Sequence, residues 1–190
     1  FITLATNAII FKFFTSYIIK FGLIFNIKFI KSFSKNDPNP FLLNKLPEGY
    51  KKIISPSQCD NILKQVKYYK KDLDTRIENA SLYYDNLKNI NSLIIPNFER
   101  NYENGWINFP IQYHERDKLI KYLFKNNRDI AIYFYRNCNE LKIFRKYRNE
   151  KLTNIKEVVN NIILLPTYPS YGKHQILRNI ELIKKFFNHD

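Results

Sequence analysis

The residues that could carry catalytic or metal chemistry are few in this sequence and stand far apart. His114, His174 and His189 are scattered, and no two of them have the spacing of metal ligands. Cys59 and Cys138 form no C-x-x-C pair, so neither a metal site nor a disulfide framework is indicated, which fits a reducing cytoplasm. His114 stands just before a predicted helix, where we expect it to cap the helix or to lie in solvent.

Basic and aromatic residues alternate in one short run. Residues 142–148 are Lys-Ile-Phe-Arg-Lys-Tyr-Arg, a mixture typical of surfaces that bind single-stranded RNA. The same run fits a helix with a solvated basic face and with Ile143, Phe144 and Tyr147 turned inward, and we favour this second interpretation. Trp106 allows stacking on a base or a sugar, but a tryptophan in a strand is usually packed, so we predict it in the core.

The framework for these residues begins with a long helix, predicted from about residue 57 to 88. Its apolar positions recur every three or four residues, which keeps them on one side of a helix. Pro56, flanked by Ser55 and Ser57, marks the start of the helix. The apolar stripe consists of Ile62, Val66, Tyr69, Leu73, Ile77, Ala80, Tyr84 and Leu87.

Short strands and helices alternate after the long helix. Strands are predicted at 93–96, 106–112, 130–135 and 162–165, helices at 116–126 and 173–187, and short helices or turns at 139–147 and 154–160. Pro110 favours an edge position or a bulge for its strand. The residues expected to face the core from the two helices are Leu119, Ile120, Leu123, Phe124, Ile176, Ile180, Ile183 and Phe187. The alternation predicts an α/β fold in which a small sheet is packed with helices.

Residues 1–33 are strongly apolar, but Lys12, Lys20 and Lys28 leave no uncharged window of roughly 18 residues that could span a membrane. We predict an apolar helical segment here. It either packs against another domain or lies on the inner face of the membrane, since no acidic residue precedes Asp37. Residues 34–55 contain three X-Pro pairs and are predicted to be a linker, followed by a domain at 56–190.

The composition bounds the class of partner. The 190 residues include 31 Lys and Arg against 17 Asp and Glu, a net charge of +14, which normally indicates nucleic acid or an anionic membrane. Lys, Asn, Ile, Tyr and Phe are all abundant, however, and AT-rich codons produce these residue types, so we do not expect nucleic acid as a partner. The sequence has no methionine and begins at Phe1, which leads us to expect a piece of a longer chain.

Three segments occur in a characteristic order. The first is Arg76-x-x-x-Ala80-x-x-Tyr83-x-x-x-Leu87. The second is Trp106-x-x-Phe109-Pro110-Ile111 followed by Arg116-Asp117-x-Leu119-x-x-x-Leu123, and the third is Leu164-Leu165-Pro166-Thr167-Tyr168-Pro169. Together, over roughly residues 46–188, they resemble the C-terminal part of DegT-type nucleotide-sugar aminotransferases.

The resemblance implies the small C-terminal domain of a fold-type-I aminotransferase that depends on pyridoxal 5'-phosphate. In that family the lysine that forms the Schiff base and the acidic partner of the pyridine nitrogen lie in a large domain that precedes this part. We therefore expect the cofactor to be bound outside this chain, and no catalytic or cofactor-binding residue is assigned within it. The implied substrates are a nucleotide sugar and an amino-acid donor, and the implied assembly is a homodimer.

The chain also departs from the family. Many members carry an Asn and an Arg before the long helix that reach the neighbouring subunit's site, and residues 49–53 (Gly-Tyr-Lys-Lys-Ile) contain neither. Many members have a substrate-contacting His after the strand at 130–135, and residues 135–139 contain none. The resemblance places Tyr135 and Arg136 in the substrate loop. They are our candidate substrate-binding residues, since a guanidinium can bind a phosphate through two hydrogen bonds.

The expected function is that of a C-terminal fragment of an aminotransferase. The complete enzyme would transfer an amino group from an amino acid to a keto-sugar nucleotide for cell-surface polysaccharide, and the fragment alone would not catalyse transamination. The alternative is a non-enzymatic basic module that docks on an anionic membrane or nucleic acid through residues 1–35 and 142–148. Its binding would weaken steeply with salt.

Overall fold

The computed structural model describes residues 14, 17, 18, 21, 45–130, 137–148, 152 and 154–188. From residue 45 onward the described elements are α1 (Pro56–Val66), α2 (Tyr69–Leu87), β1 (Asn108–Gln112), α3 (Arg116–Lys125), α4 (Asn154–Asn161), β2 (Ile162–Pro166) and α5 (Lys173–Phe187). Short 3₁₀ helices occur at Glu48–Lys51, Cys138–Glu140, Lys142–Tyr147 and Pro169–Tyr171. None of the helices in these ranges is long and apolar enough to cross a membrane.

The two strands form a small antiparallel sheet. Phe109 pairs with Leu165 and Ile111 pairs with Ile163, and all four side chains are almost fully buried on one face. The predicted strand at 93–96 is reduced to a single bridge between Ile94 and Gln112. The predicted strand at 130–135 lies outside the described residues, apart from its first position.

Three helices cover the buried side of this sheet. Helix α2 packs against α5 and β1, while α3 packs against α5 and β2. All four residues that were predicted to face the core from α3 are buried. Helix α5 has the predicted bounds and buries Ile176, Ile180 and Ile183 as expected, but it also buries Leu182, and Phe187 is only half-buried. The predicted fold class, a small sheet packed with helices, is confirmed.

The single helix predicted over residues 57–88 is wrong, because the chain forms α1 and α2 with a break at Lys67 and Tyr68. The N–H of Tyr68 donates to the carbonyl of Gln65 at 2.9 Å, a three-residue spacing that closes α1. On α2 the stripe is buried at Leu73, Ile77, Ala80 and Leu87, but Tyr69 at its start is 66% exposed. On α1, Ile62 and Val66 are 50% and 62% exposed. Burial against the core therefore stabilises α2, and α1 extends beyond that support.

Two residues with positive φ lie at helix ends, one after α3 and one before α5. Asn127, with φ 57°, ends α3 in the left-handed conformation. Its N–H donates to Phe124 O and the N–H of Arg128 donates to Leu123 O, both at 2.9 Å. Gly172, with φ 76°, directly precedes α5 and provides no capping side chain.

Candidate functional site

The two predicted substrate-binding residues, Tyr135 and Arg136, lie outside the described residues. The described chain resumes at Asn137, which is buried and whose Oδ1 accepts a hydrogen bond from the N–H of Asn139 at 3.0 Å. This contact fixes the turn that leads into the two 3₁₀ helices at Cys138–Glu140 and Lys142–Tyr147. The roles of Tyr135 and Arg136 stay predictions.

A cleft of about 600 Å³ lies beside this turn, lined by Asn137, Cys138, Asn139, Phe144, Tyr147, Leu152 and Ile155. Phe144 and Tyr147 are 40% and 69% exposed, so the prediction that they turn inward is wrong. In a 3₁₀ helix, residues three apart lie on the same side, and here that side borders the open cleft instead of the core. The cleft thus combines apolar and aromatic surface with two side-chain amides.

Of the three histidines, His114 and His174 lie in the described part of the chain and His189 lies outside it. His114 is exposed, and its ring centroid lies 4.7 Å from that of Tyr113 in an edge-on contact. Cys59 and Cys138 are free thiols. Within the ranges that the structure describes, no group of three His, Cys, Asp or Glu residues could hold a metal ion.

Trp106 packs at the edge of the core, as predicted. Its ring centroid lies 5.1 Å from that of Phe98 and 5.7 Å from that of Phe109. Its backbone has φ 39°, a strained value for a residue with a bulky side chain. The hydroxyl of Thr167 shares its one hydrogen between the carbonyl of Trp106 and that of Ile107, the latter at 2.9 Å, which holds this turn against β2.

A buried polar network joins α2 to α5. The amide of Asn179 donates to the Tyr83 hydroxyl at 3.0 Å, and the hydroxyl of Tyr171 donates to Asn179 Oδ1 at 3.2 Å. Burial raises the pKa of Tyr83 far above its usual range, although the hydrogen bond with Asn179 acts in the opposite direction. Tyr83 therefore stays neutral, and the network links helices without offering a nucleophile.

The described residues do not fit a site for pyridoxal phosphate. Such a site needs a lysine that is held at the cofactor and shielded from water, together with donors for the phosphate. Every lysine in the described ranges is exposed except Lys184, which is half-buried. The ammonium of Lys184 donates to Asn86 Oδ1 at 2.8 Å between α5 and α2. No lysine of this part of the chain has the environment that the cofactor requires.

A match to a family model identifies the family of this chain. The model of the DegT/DnrJ/EryC1/StrS aminotransferase family matches residues 26–184. This chain belongs to the DegT/DnrJ/EryC1/StrS aminotransferase family. The resemblance inferred from the three sequence segments is thereby confirmed. A comparison with curated proteins gave no match.

Solved aminotransferase structures share the fold of this DegT-family chain. A DegT DnrJ EryC1 StrS aminotransferase from Brucella abortus aligns with a TM-score of 0.65 and 17% identity, over 83% of this chain and 42% of that one. DesV from S. venezuelae, in complex with a ketimine intermediate, aligns with a TM-score of 0.62 and 15% identity, over 68% and 36% of the two chains. NtdA from Bacillus subtilis, with bound cofactor PMP, aligns with a TM-score of 0.52 and 20% identity, over 60% of this chain and 28% of that one. The DegT-family chain thus spans less than half the length of these structures.

The sequence did not single out one further group of residues. Arg128, His174 and Arg178 border a second cavity at the start of α5. The sequence feature that could have indicated this group is the first turn of α5, which follows Gly172 and contains basic residues but no acidic ones.

Proposed function

We propose that this chain is the C-terminal part of a pyridoxal-phosphate-dependent aminotransferase. The complete enzyme transfers an amino group from an amino acid to a keto-sugar nucleotide for cell-surface polysaccharide. The observation that carries the proposal is the family match over residues 26–184. The exposed lysines of the described ranges support a cofactor site in a separate large domain, with this part closing the active-site cleft.

The substrate contacts of this part come from the loop at residues 135–139. In the proposal, Arg136 binds a phosphate of the nucleotide sugar and Tyr135 contacts the same substrate. The open cleft beside Asn137 and Asn139 supports this assignment, because it leaves room for a ligand next to the loop.

The test compares the product of the complete reading frame with residues 1–190. Each protein is incubated with pyridoxal phosphate, ¹⁵N-glutamate and a keto-sugar nucleotide, and the amino sugar is detected by mass spectrometry. We expect ¹⁵N transfer only with the complete product. Borohydride reduction should attach the cofactor to a lysine outside residues 1–190. Transfer by residues 1–190 alone, a labelled lysine within them, or an inactive complete product would overturn the proposal.

The proposed assembly is a homodimer in the cytoplasm, with residues 1–33 in contact with the inner face of the membrane. Support for a dimer comes from the exposed apolar residues of α1 and from Ile107, which is 72% exposed. Support for the membrane contact comes from the apolar and basic sequence of residues 1–33.

A second candidate function is favoured by the outward orientation of Phe144 and Tyr147. Exposed aromatic rings among Lys142, Arg145 and Lys146 form a surface that suits an anionic partner. In this case residues 142–147 would dock on phosphatidylserine vesicles, and raising the salt from roughly 50 to 200 mM would release the chain. Binding that ignores salt, or that survives in the double variant Phe144→Ser/Tyr147→Ser, would rule this function out.

A further inference from the structure

Four large apolar or aromatic residues near the start of the chain are exposed at helical spacing. Phe14, Tyr17, Ile18 and Phe21 are all helical, and each is between 56% and 67% exposed. The last three lie three, four and seven residues after Phe14, which places the four along one side of a helix. We call these four residues the N-terminal stripe. A contiguous apolar surface of this kind typically marks a contact with a protein or a membrane.

The fold of the family does not account for the N-terminal stripe. The family model matches residues 26–184, so all four residues precede the matched stretch. Within the described part of the chain, the buried core draws on the small sheet and on the helices from α2 onward, and no residue of the stripe packs against it. The contact that the stripe makes is therefore separate from the core that the family match covers.

The charge in this part of the sequence is positive only. No acidic residue precedes Asp37, whereas Lys12 and Lys20 flank the stripe and Lys28 follows it. On a helix, positions 12, 16 and 20 fall on the side opposite to the stripe, and the sequence has Lys, Ser and Lys there. Apolar residues on one side and lysines on the other are typical of helices that lie on anionic bilayers. A second copy of this chain would bring the same positive charge to the contact, which disfavours it as the partner.

We propose that the N-terminal stripe inserts into the surface of an anionic phospholipid bilayer, and that the neighbouring lysines attract its phosphate groups. The contact lies along the surface, because Lys12 and Lys20 leave too few uncharged residues to cross the bilayer. This inference rests on the proposed contact of residues 1–33 with the membrane, and it names the residues and the lipid class of that contact. It does not depend on the proposed amino transfer.

The first measurement is co-sedimentation with lipid vesicles, without cofactor or substrate. The product of the complete reading frame and residues 1–190 should both bind vesicles of phosphatidylserine and phosphatidylcholine in equal amounts. They should bind pure phosphatidylcholine vesicles about tenfold more weakly or less, since each lysine near an anionic surface adds to the attraction. Salt should weaken the binding without abolishing it, because screening acts on the lysines and leaves the apolar insertion intact.

The decisive comparison uses two double variants with the same chemical change. Tyr17→Ser/Ile18→Ser removes half of the stripe, and Ile94→Ser/Tyr102→Ser removes the same residue types at nearly the same exposure, 59% and 62%. The apparent Kd for the mixed vesicles should rise by about tenfold or more in Y17S/I18S, because two side chains no longer enter the lipid. It should stay at the wild-type value in I94S/Y102S. Circular dichroism establishes that both variants keep the wild-type helix content.

Insertion can also be observed without removing any apolar residue. Trp106 is the single tryptophan of the chain, and Phe21→Trp adds a second one within the stripe. Lipids with brominated acyl chains quench a tryptophan that enters the bilayer, so vesicles that contain them should quench F21W more strongly than the wild type. Tyr102→Trp places the added ring at an exposed position outside the stripe, and its fluorescence should be quenched no more than that of the wild type.

The possible failures are distinguishable. If Y17S/I18S binds as the wild type does, the contact of residues 1–33 stands and the role of the stripe is overturned; if the wild type does not bind, both are overturned. Binding by residues 1–190 but not by the complete product would assign the stripe to another domain, and weaker dimerisation of Y17S/I18S with unchanged lipid binding would assign it to a second copy. Equal binding to neutral vesicles would overturn the lipid class. The ¹⁵N transfer assay is unaffected by each of these results.

Discussion

At the scale of single residues, the polar groups that matter most to the fold lie where helices meet. Asn179 of α5 hydrogen-bonds Tyr83 of α2, a residue 96 positions earlier in the chain. Asn79 donates across a similar separation to the carbonyl of Thr167 at 3.0 Å. Sequence patterns could not find these contacts, since an asparagine within a helix normally indicates a solvent-facing position. Their burial depends on partners that only the tertiary fold brings together.

Tyr83 gives the chain a predictable loss of stability in alkali. Burial raises its pKa in the folded state, so the folded chain holds this proton after the unfolded chain has released it near pH 10. The stabilisation is complete below that pH and declines above it by about 1.4 kcal/mol per pH unit for this proton. In Tyr83→Phe the free energy of unfolding, measured with urea between about pH 9 and 12, should therefore decline less steeply than in the wild type.

Tyr50→Phe is the control, because Tyr50 is 77% exposed and its hydroxyl is not buried by folding. This variant should keep the wild-type slope. Burial also raises the pKa of Tyr171, so Y83F should reduce the alkaline decline without abolishing it. Equal slopes in Y83F and the wild type would show that the Tyr83 proton does not contribute.

At the scale of elements, the sequence predicts well those helices that have a partner for their apolar face. Helices α3 and α5 were predicted with nearly correct bounds and buried residues because their stripes pack on each other, and also on β2 in the case of α3 and on α2 in the case of α5. The same periodicity failed at α1, where Ile62 and Val66 continue the stripe of α2 without facing the core. Periodicity indicates which residues share a side, and what lies opposite that side decides whether they are buried.

Helix α1 therefore depends on its own cap. The side chain of Ser55 accepts from the N–H of Gln58 at 3.4 Å, and the Gln58 side chain accepts from the N–H of Ser55 at 2.8 Å. Ser55→Ala should destabilise α1 by about 1 kcal/mol. The helix would then open roughly five times more often, and amide exchange within Pro56–Val66 would be faster by the same factor. Exchange in α2 should stay unchanged, because its buried stripe holds it in place.

Hydrogen exchange followed by NMR resolves the two helices separately. Thr75→Ala is a matched loss of one hydroxyl, since Thr75 lies on α2 and its side chain donates only to the carbonyl of Lys71 one turn earlier. It should leave the exchange of α1 unaffected. Faster exchange across both helices in S55A would mean that α1 and α2 unfold as one unit.

At the scale of the whole molecule, apolar surface concentrates near α1. Ile53 is 94% exposed and Tyr69 66%, and a groove of about 460 Å³ runs between α1, the start of α2 and Ile107. Monomeric proteins rarely leave a large contiguous apolar patch in water. This surface is the physical argument for the proposed dimer, and neither the break after Val66 nor the exposure of Ile107 could be predicted from the sequence.

The dimer can be tested on this surface directly. Two lysines introduced by Ile62→Lys and Val66→Lys would have to be buried in any dimer that covers α1, and burying unpaired charges is costly. In sedimentation velocity the wild type should therefore behave as a dimer, and the double variant should show at least a tenfold weaker dimerisation. Leu177→Lys, at an exposed apolar position of α5, should dimerise as the wild type does. A monomeric wild type would exclude the dimer. A double variant that dimerises unchanged would place the subunit contact elsewhere, because the charge introduced at α1 would then cost the assembly nothing.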